Sequence, residues 1–247
     1  MHIAVFGSGA GTILRAMLCA QNRAPQPFTI RLLYTDRECA FQQIAKEANL
    51  PLIHNPWSKT LSREHYDQRG LDLLRTFSRD MQCPIDFILL AGYMRLMSRV
   101  WLQAFPHHIL NIHPADLTIL DERGKRKFIG DNAVFLSLQS GMRKTRTTAI
   151  LIDEQVDGGP ILVSGPWVDY VGNNSVTKEL AQEHQAKQKK MSDWPTCLTA
   201  LQLLAEGRLE LSLPALDVFC DGKKMPPGGY ELLQGGQYVW NHRDSGS

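Results

Sequence analysis

The sequence predicts an α/β protein built on a doubly wound, mostly parallel sheet with helices on both faces. Three features predict it: short apolar runs alternating with helical stretches, a glycine loop joining the first run to the first helix, and a later strand that ends in polar residues. The run His2-Ile3-Ala4-Val5-Phe6 reads as a buried strand, residues 7–12 as a tight loop and residues 13–20 as a helix with one apolar face. Strands follow at 28–34, 50–54 and 85–90, separated by helices at 39–48 and from the N-cap Ser62 to about residue 80.

Leu110-Asn111-Ile112-His113-Pro114 is the next strand. Side chains alternate between faces, so Leu110 and Ile112 bury while Asn111 and His113 point the same way, and Pro114 stops the strand. Residues 116–127 form a long charged loop without helical period, which suits a lid or substrate-facing loop as well as a solvated excursion. A short helix at 130–138, a strand at 147–152, a turn-rich loop at 153–160 and a strand at 161–170 come next. Gly172-Asn173-Asn174-Ser175 announces a helix to about residue 190, and Ser192-Asp193-Trp194-Pro195 breaks it and restarts it toward Glu206. From Leu209 onward there are short strand-like pieces and a Pro226-Pro227-Gly228-Gly229-Tyr230 turn, with a frayed end at 241–247.

A chain of 247 residues can bury a full core as a single domain. With 21% charged residues and a net charge of +2 from interspersed signs, neither a nucleic acid nor a membrane is implied as partner. Cys19, Cys39, Cys83, Cys197 and Cys220 are scattered and include no C-x-x-C pair, which argues against a disulfide framework and against a zinc site. No metal is expected. A reducing cytoplasm suits such cysteines, and the N-terminus enters a strand without a basic region or long apolar run, so the expected location is cytoplasmic.

Backbone N–H groups at the helix start after Gly7-Ser8-Gly9-Ala10-Gly11-Thr12 favour an anion, with phosphate the natural ligand. The dinucleotide fingerprint G-x-G-x-x-G needs a third glycine where this chain has Thr12, although Asp36 could imitate its ribose-binding acid. The same glycines also suit a plain turn that packs strand against helix. Asn111, His113 and, from the loop Val156-Asp157-Gly158-Gly159-Pro160, the Asp157 carboxylate would converge at the carboxyl end of a strand, where open α/β sheets keep their active sites.

Five segments in this order carry a family resemblance: Ser8-Gly9-Ala10-Gly11-Thr12, Ala91-Gly92-Tyr93-Met94-Arg95-Leu96, Asn111-Ile112-His113-Pro114, Asp157-Gly158-Gly159-Pro160 with Gln182-Glu183-His184, and the tail 221–230. The sequence resembles the folate-dependent formyltransferases over nearly its whole length. The resemblance implies a Rossmann-like fold and transfer of a formyl group from 10-formyltetrahydrofolate to a primary amine, glycinamide ribonucleotide of purine synthesis being the leading acceptor. It implies a phosphate-binding half at 1–105, a catalytic and folate-binding half at 106–208 and a C-terminal extension at 209–247, in a monomer or homodimer.

Residue by residue, the resemblance assigns catalysis to Asn111, His113 and Asp157. Asn111 would donate its amide N–H to the developing oxyanion and a protonated His113 would add a second donor. Asp157 would orient His113, favour its charged form and take a proton from the attacking nitrogen. Gly11, Thr12 and Ile13 by their backbone, with Arg63, would hold a substrate phosphate, and Glu183 would contact the amine substrate. Met94, Arg95, Leu96 and Ile109, with Asp153, Glu154 and Val156, match the segments that wrap the folate.

The chain departs from the family pattern at Ile13, where an Asn is usual, and at Ile150, where a His is usual. It also carries the charged segment through Lys127 and an insertion at 185–194. The last three changes fall toward the amine side, which keeps another phosphorylated amine or an amino sugar open as acceptor. A non-catalytic folate-binding relative is a further alternative, against which the intact Asn111, His113 and Asp157 speak, and a hydrolase that releases formate from formylfolate, using similar groups, is another.

Overall fold

The computed structural model describes residues 1–172 and 175–233. Asn173, Asn174 and the frayed end expected at 241–247 lie outside the described residues. The chain begins β1 (His2–Phe6), α1 (Thr12–Arg23), β2 (Thr29–Thr35), α2 (Ala40–Ala48), β3 (Leu52–His54) and α3 (Arg63–Asp80). It continues β4 (Phe87–Leu90), α4 (Arg99–Ala104), β5 (Ile109–His113), α5 (Ala133–Gln139), β6 (Lys144–Thr145) and β7 (Thr148–Leu151). Then come β8 (Ile161–Ser164), β9 (Val168–Asp169), α6 (Lys178–Gln188), α7 (Trp194–Ala205), β10 (Leu209–Ser212), β11 (Asp217–Cys220), β12 (Lys223–Lys224) and β13 (Tyr230–Glu231).

The chain divides into two compact units, residues 1–112 with 150–159, and residues 113–149 with residues from 160 onward. In the first unit parallel strands run in the order β5-β4-β1-β2-β3. Ile152, just past β7, donates its N–H to Ile109 O at 3.0 Å and continues this sheet on the β5 side. The order reverses between β1 and β4, and right-handed crossovers from such a reversal put helices on both faces. The expected doubly wound class is therefore the observed one. The core is aromatic: Phe6 stacks on Tyr34 at 4.2 Å, and Trp101 and Tyr93 pack edge-on against Phe6 at 5.3 and 5.6 Å. Each such side chain contributes roughly 1.5–3 kcal/mol by leaving water.

Local chemistry explains several boundaries. Ser62 Oγ accepts from His65 N at 3.2 Å and caps α3, as the sequence predicts. Pro114 follows the last residue of β5. Asn49 ends α2 in the left-handed region, with φ of 50°.

In the second unit β8 lies between β7 and β13, and β13 pairs with β8 in parallel through Tyr230 and Val163. Two small antiparallel sheets, β6-β9 and β10-β11-β12, accompany it. Two expectations are corrected here. The strand expected over 161–170 is split, because Gly165 gives its N–H to Thr147 O at 2.8 Å and Pro166 has none to give; beyond them Val168 pairs with Thr145 instead. The helix expected to break at 192–195 does not break. α6 passes through a π-turn at Lys189–Asp193 into α7, and the widened turn accommodates Pro195, whose nitrogen cannot donate to the helical ladder.

Candidate active site

The first unit contains the glycine loop, at the point where the strand order reverses. Gly7 N donates to Tyr34 O and Ser8 N to Gly92 O, each at 3.0 Å, so the loops after β1 and β4 lie side by side. A Cβ on Gly7 would stand 2.1 Å from the Phe41 ring, which makes this glycine a packing requirement. Gly11 has φ of +64° and a Cβ there would stand 2.5 Å from Ile44 Cδ1. It caps α1 without a side chain, and the first turn of α1 contains no acid, so the backbone donors of Thr12 and Ile13 suit an anion. Ile13 points into the core, leaving only its backbone for such a ligand. Arg63 is exposed in the first turn of α3 and makes no ion pair among the described residues.

Met94 and Leu96, after β4, are about half exposed apolar side chains, and Val156 is similar. These three suit a flat apolar ring system. The side chains of the other residues expected there have partners within the protein. Arg95 donates to Asp36 Oδ2 at 3.1 Å and lies over the Trp57 ring at 4.0 Å. Asp153 Oδ1 accepts from Gln155 N at 2.8 Å, Glu154 pairs with Arg99 at 3.0 Å, and the Ile109 side chain is buried in the core. Asp36 is no ribose acid either. Its carboxylate accepts three bonds from Arg37, the shortest at 2.8 Å, besides that from Arg95. Burial opposes its charge, but hydrogen bonds from Arg37, Ser8 and Arg95 outweigh burial and hold it below the ordinary aspartate range.

Asn111, near the carboxyl end of β5, donates from Nδ2 to Asp157 Oδ1 at 3.2 Å. An amide nitrogen carries two hydrogens, so the second can serve a ligand. The loop that delivers Asp157 needs both following glycines. A Cβ on Gly159 would fall 1.9 Å from Leu151 O, and one on Gly158 would fall 2.5 Å from the Gln155 Cβ. Asp157 itself lies in the left-handed region, with φ of 50°. A carboxylate is thus fixed on a primary amide, an arrangement that joins a proton acceptor to an oxyanion donor.

The second unit begins at His113, which is buried. Its Nε2 lies 2.7 Å from Phe128 O. A carbonyl only accepts, so Nε2 carries a hydrogen. Phe128 is held in an apolar cluster with Ala115 and Ala133. The charged loop at 116–127 is a tight hairpin: Leu120 bridges Arg126, Lys127 N donates to Ile119 O at 2.9 Å, and Asp121 Oδ1 accepts from the N–H groups of Arg123 and Lys125. Its base is an ion network, Asp116 to Arg146 at 2.8 Å and Arg146 to Glu231 at 3.0 Å. No side-chain motif marks Phe128, because the group it supplies is its backbone carbonyl. Glu183 is exposed on α6 and lies outside the lining of a cleft of about 280 Å³ made by Asp131, Asn132, Phe135, Lys178, Gln182 and their neighbours. The inward residue is its neighbour His184, whose Nε2 is 2.7 Å from Thr145 Oγ1.

The fold, a glycine loop at the strand-order reversal and an amide–carboxylate pair at a strand end define a group-transfer enzyme of the open α/β type. The formyl transferase family model matches residues 1–190, and the chain belongs to this family and is a formyltransferase. Phosphoribosylglycinamide formyltransferase of Escherichia coli (strain K12) is 27% identical over 93% of this chain and 98% of its own length. The enzyme of the same name from Mycobacterium tuberculosis (strain H37Rv) is 30% identical over 67% of this chain and 70% of its own. Among solved structures, glycinamide ribonucleotide transformylase 1 of Symbiobacterium toebii is 27% identical, covers 89% of this chain and 93% of its own, and superposes with a TM-score of 0.71.

Proposed function

We propose that the protein transfers the formyl group of 10-formyltetrahydrofolate to the amine of glycinamide ribonucleotide, a step of purine biosynthesis. The hydrogen bond from Asn111 to Asp157 carries the reading, supported by the names of the relatives matched along most of the chain. Folate supplies an activated formyl carbon, and Met94, Leu96 and Val156 offer its ring system apolar surface. The substrate phosphate is assigned to the N–H groups of Thr12 and Ile13 with Arg63.

As the amine approaches, negative charge grows on the formyl oxygen and positive charge on the nitrogen. The free hydrogen of the Asn111 amide serves the oxygen, and its contact tightens as charge develops. His113 in its charged form adds a donor at Nδ1, with Nε2 anchored on Phe128 O. Asp157 takes the amine proton directly or through one water. As the tetrahedral intermediate collapses, the bond from the formyl carbon to the folate nitrogen breaks and that nitrogen leaves with a proton as tetrahydrofolate. Glu183 is proposed to meet the amine substrate from α6.

The test is release of tetrahydrofolate from the two substrates. Asn111→Ala and Asp157→Ala are each expected to cost about 100–1,000-fold in kcat. Full activity in either variant overturns the assignment. Turnover only with other phosphorylated amines or amino sugars would move the acceptor and leave the chemistry standing.

A further inference from the structure

Ser8 is buried in the glycine loop and takes no part in the chemical steps above, yet it meets the loop after β4 twice. Its N–H goes to Gly92 O at 3.0 Å, and its Oγ accepts the N–H of Met94, also at 3.0 Å. The chain leaves the sheet just before these contacts. Ala91 N still donates to Phe6 O at 2.8 Å, and Gly92, with φ of 76°, turns away from the strand direction. A hydroxyl owns one hydrogen and two lone pairs. One lone pair serves Met94, and the hydrogen goes to the Asp36 carboxylate, which can only accept.

The next residue closes the ring. Arg95 donates to the same carboxylate at 3.1 Å and lies over Trp57, whose N–H goes to Asp36 O at 2.9 Å. Gly92 O, Met94 N and the Arg95 guanidinium thus all meet Ser8 or the carboxylate that Ser8 touches. The phosphate side of the glycine loop is fixed by other means. Gly7 leaves no room for a side chain beside Phe41, nor Gly11 beside Ile44, and this packing owes nothing to the Ser8 hydroxyl. Arg63 stands on α3, which starts from its own Ser62 cap.

We propose that Ser8 is a positioning residue for the folate: its hydroxyl holds the Met94 N–H and so sets the loop that presents Met94 and Leu96 to the ring system. The proposal rests on the assignment of that loop to the folate above. Apolar side chains select a flat ring only when the loop beneath them is held in one place, and this loop has no ladder of its own to hold it. One glycine loop then serves both substrates, the phosphate through the backbone after Gly11 and the folate through the side chain of Ser8.

Ser8→Ala leaves the Met94 N–H without its acceptor. The KM for 10-formyltetrahydrofolate is expected to rise about tenfold, while kcat and the KM for the amine stay within about twofold. Exchange of the Met94 amide hydrogen, followed by NMR, accelerates with it. Ser8→Cys, close in size but a weaker acceptor, moves both in the same direction by less. A folded Ser8→Ala or Ser8→Cys protein with an unmoved folate KM overturns the proposal. So does an equal rise in both KM values, which a general loosening of the fold would produce. If the wild-type protein transfers no formyl group to any amine, the functional reading fails, and the dissociation constants of tetrahydrofolate for wild type and variants decide the proposal in place of KM. A wild-type protein that binds no tetrahydrofolate overturns the folate assignment and the proposal together.

Discussion

Asp36 and Asp193 are both buried aspartates, one in each unit, and their surroundings displace them in opposite directions. Burial raises both, since an anion loses its water in either place. Around Asp36 two guanidinium groups and the Ser8 hydroxyl reverse that effect. Around Asp193 the close donors are neutral, and burial prevails. Depth and the charge of the donors together set the direction in which a carboxylate is displaced. The two residues also differ in what they brace. Asp36 ties the loop after β2 to Arg95 in the loop after β4, and Ser8 ties Met94 N to the loop after β1 at 3.0 Å. Asp193 instead ends a buried polar row in which Gln188 donates to Thr147 Oγ1 and Thr147 to Asp193 Oδ1.

The sharpest way to break this contrast is Asp36→Asn. The substitution leaves Arg37 and Arg95 without their anion, and because both are 29–46% exposed they regain part of their hydration. A loss of about 2 kcal/mol at neutral pH is expected, below the 3–5 kcal/mol typical of a fully buried pair. A lowered carboxyl contributes stability above its unfolded pKa, and that contribution disappears as pH falls through the folded value. The difference between wild type and variant in urea unfolding should therefore shrink below about pH 4. An unchanged denaturation midpoint at neutral pH would mean that Asp36 is no brace.

Arg95→Ala is expected to cost less, about 1 kcal/mol, because Arg37 retains its bonds to Asp36 and only one donor and the stacking on Trp57 are lost. The same urea titration measures it. A cost equal to that of Asp36→Asn would shift the weight of the brace from the aspartate to Arg95.

How far the two places were legible in the sequence follows the same division. Strand and helix alternation, the Ser62 cap, the strand end at Pro114 and the glycine loop depend on neighbours within a few residues, and the structure has them where the pattern puts them. Asp36 is visible as a strand-end acid, but its partnership with Arg95 is not, because Arg95 lies 59 positions away and a strand-end acid looks the same with or without it. The row ending at Asp193 joins residues 41 to 46 positions apart across a strand and a helix. There Ser192-Asp193-Trp194-Pro195 looks like a helix break, since the rule registers the missing proline N–H and not the burial of the two preceding side chains. The hairpin at 116–127 was opaque for a related reason: its charges suggest solvent, yet Asp116 is buried on Arg146, and the acceptor for His113 is a backbone oxygen.

The smallest stability change is expected at Asp193, and it has the opposite sign. A raised carboxyl penalises the folded state as pH rises from the unfolded value through the folded one, and the penalty persists above both. Asp193→Asn removes the desolvated charge and keeps an oxygen for the Thr147 hydroxyl, at the expense of whatever attraction Lys189 returns. The variant should thus be as stable as wild type or up to about 1 kcal/mol more stable at neutral pH. The gain should vanish toward about pH 4, where the unfolded carboxyl also takes its proton. Thermal unfolding of both proteins across that range checks the sign. A large destabilisation at neutral pH would instead make Asp193 a structural anchor like Asp36, and the contrast between the two aspartates would be lost.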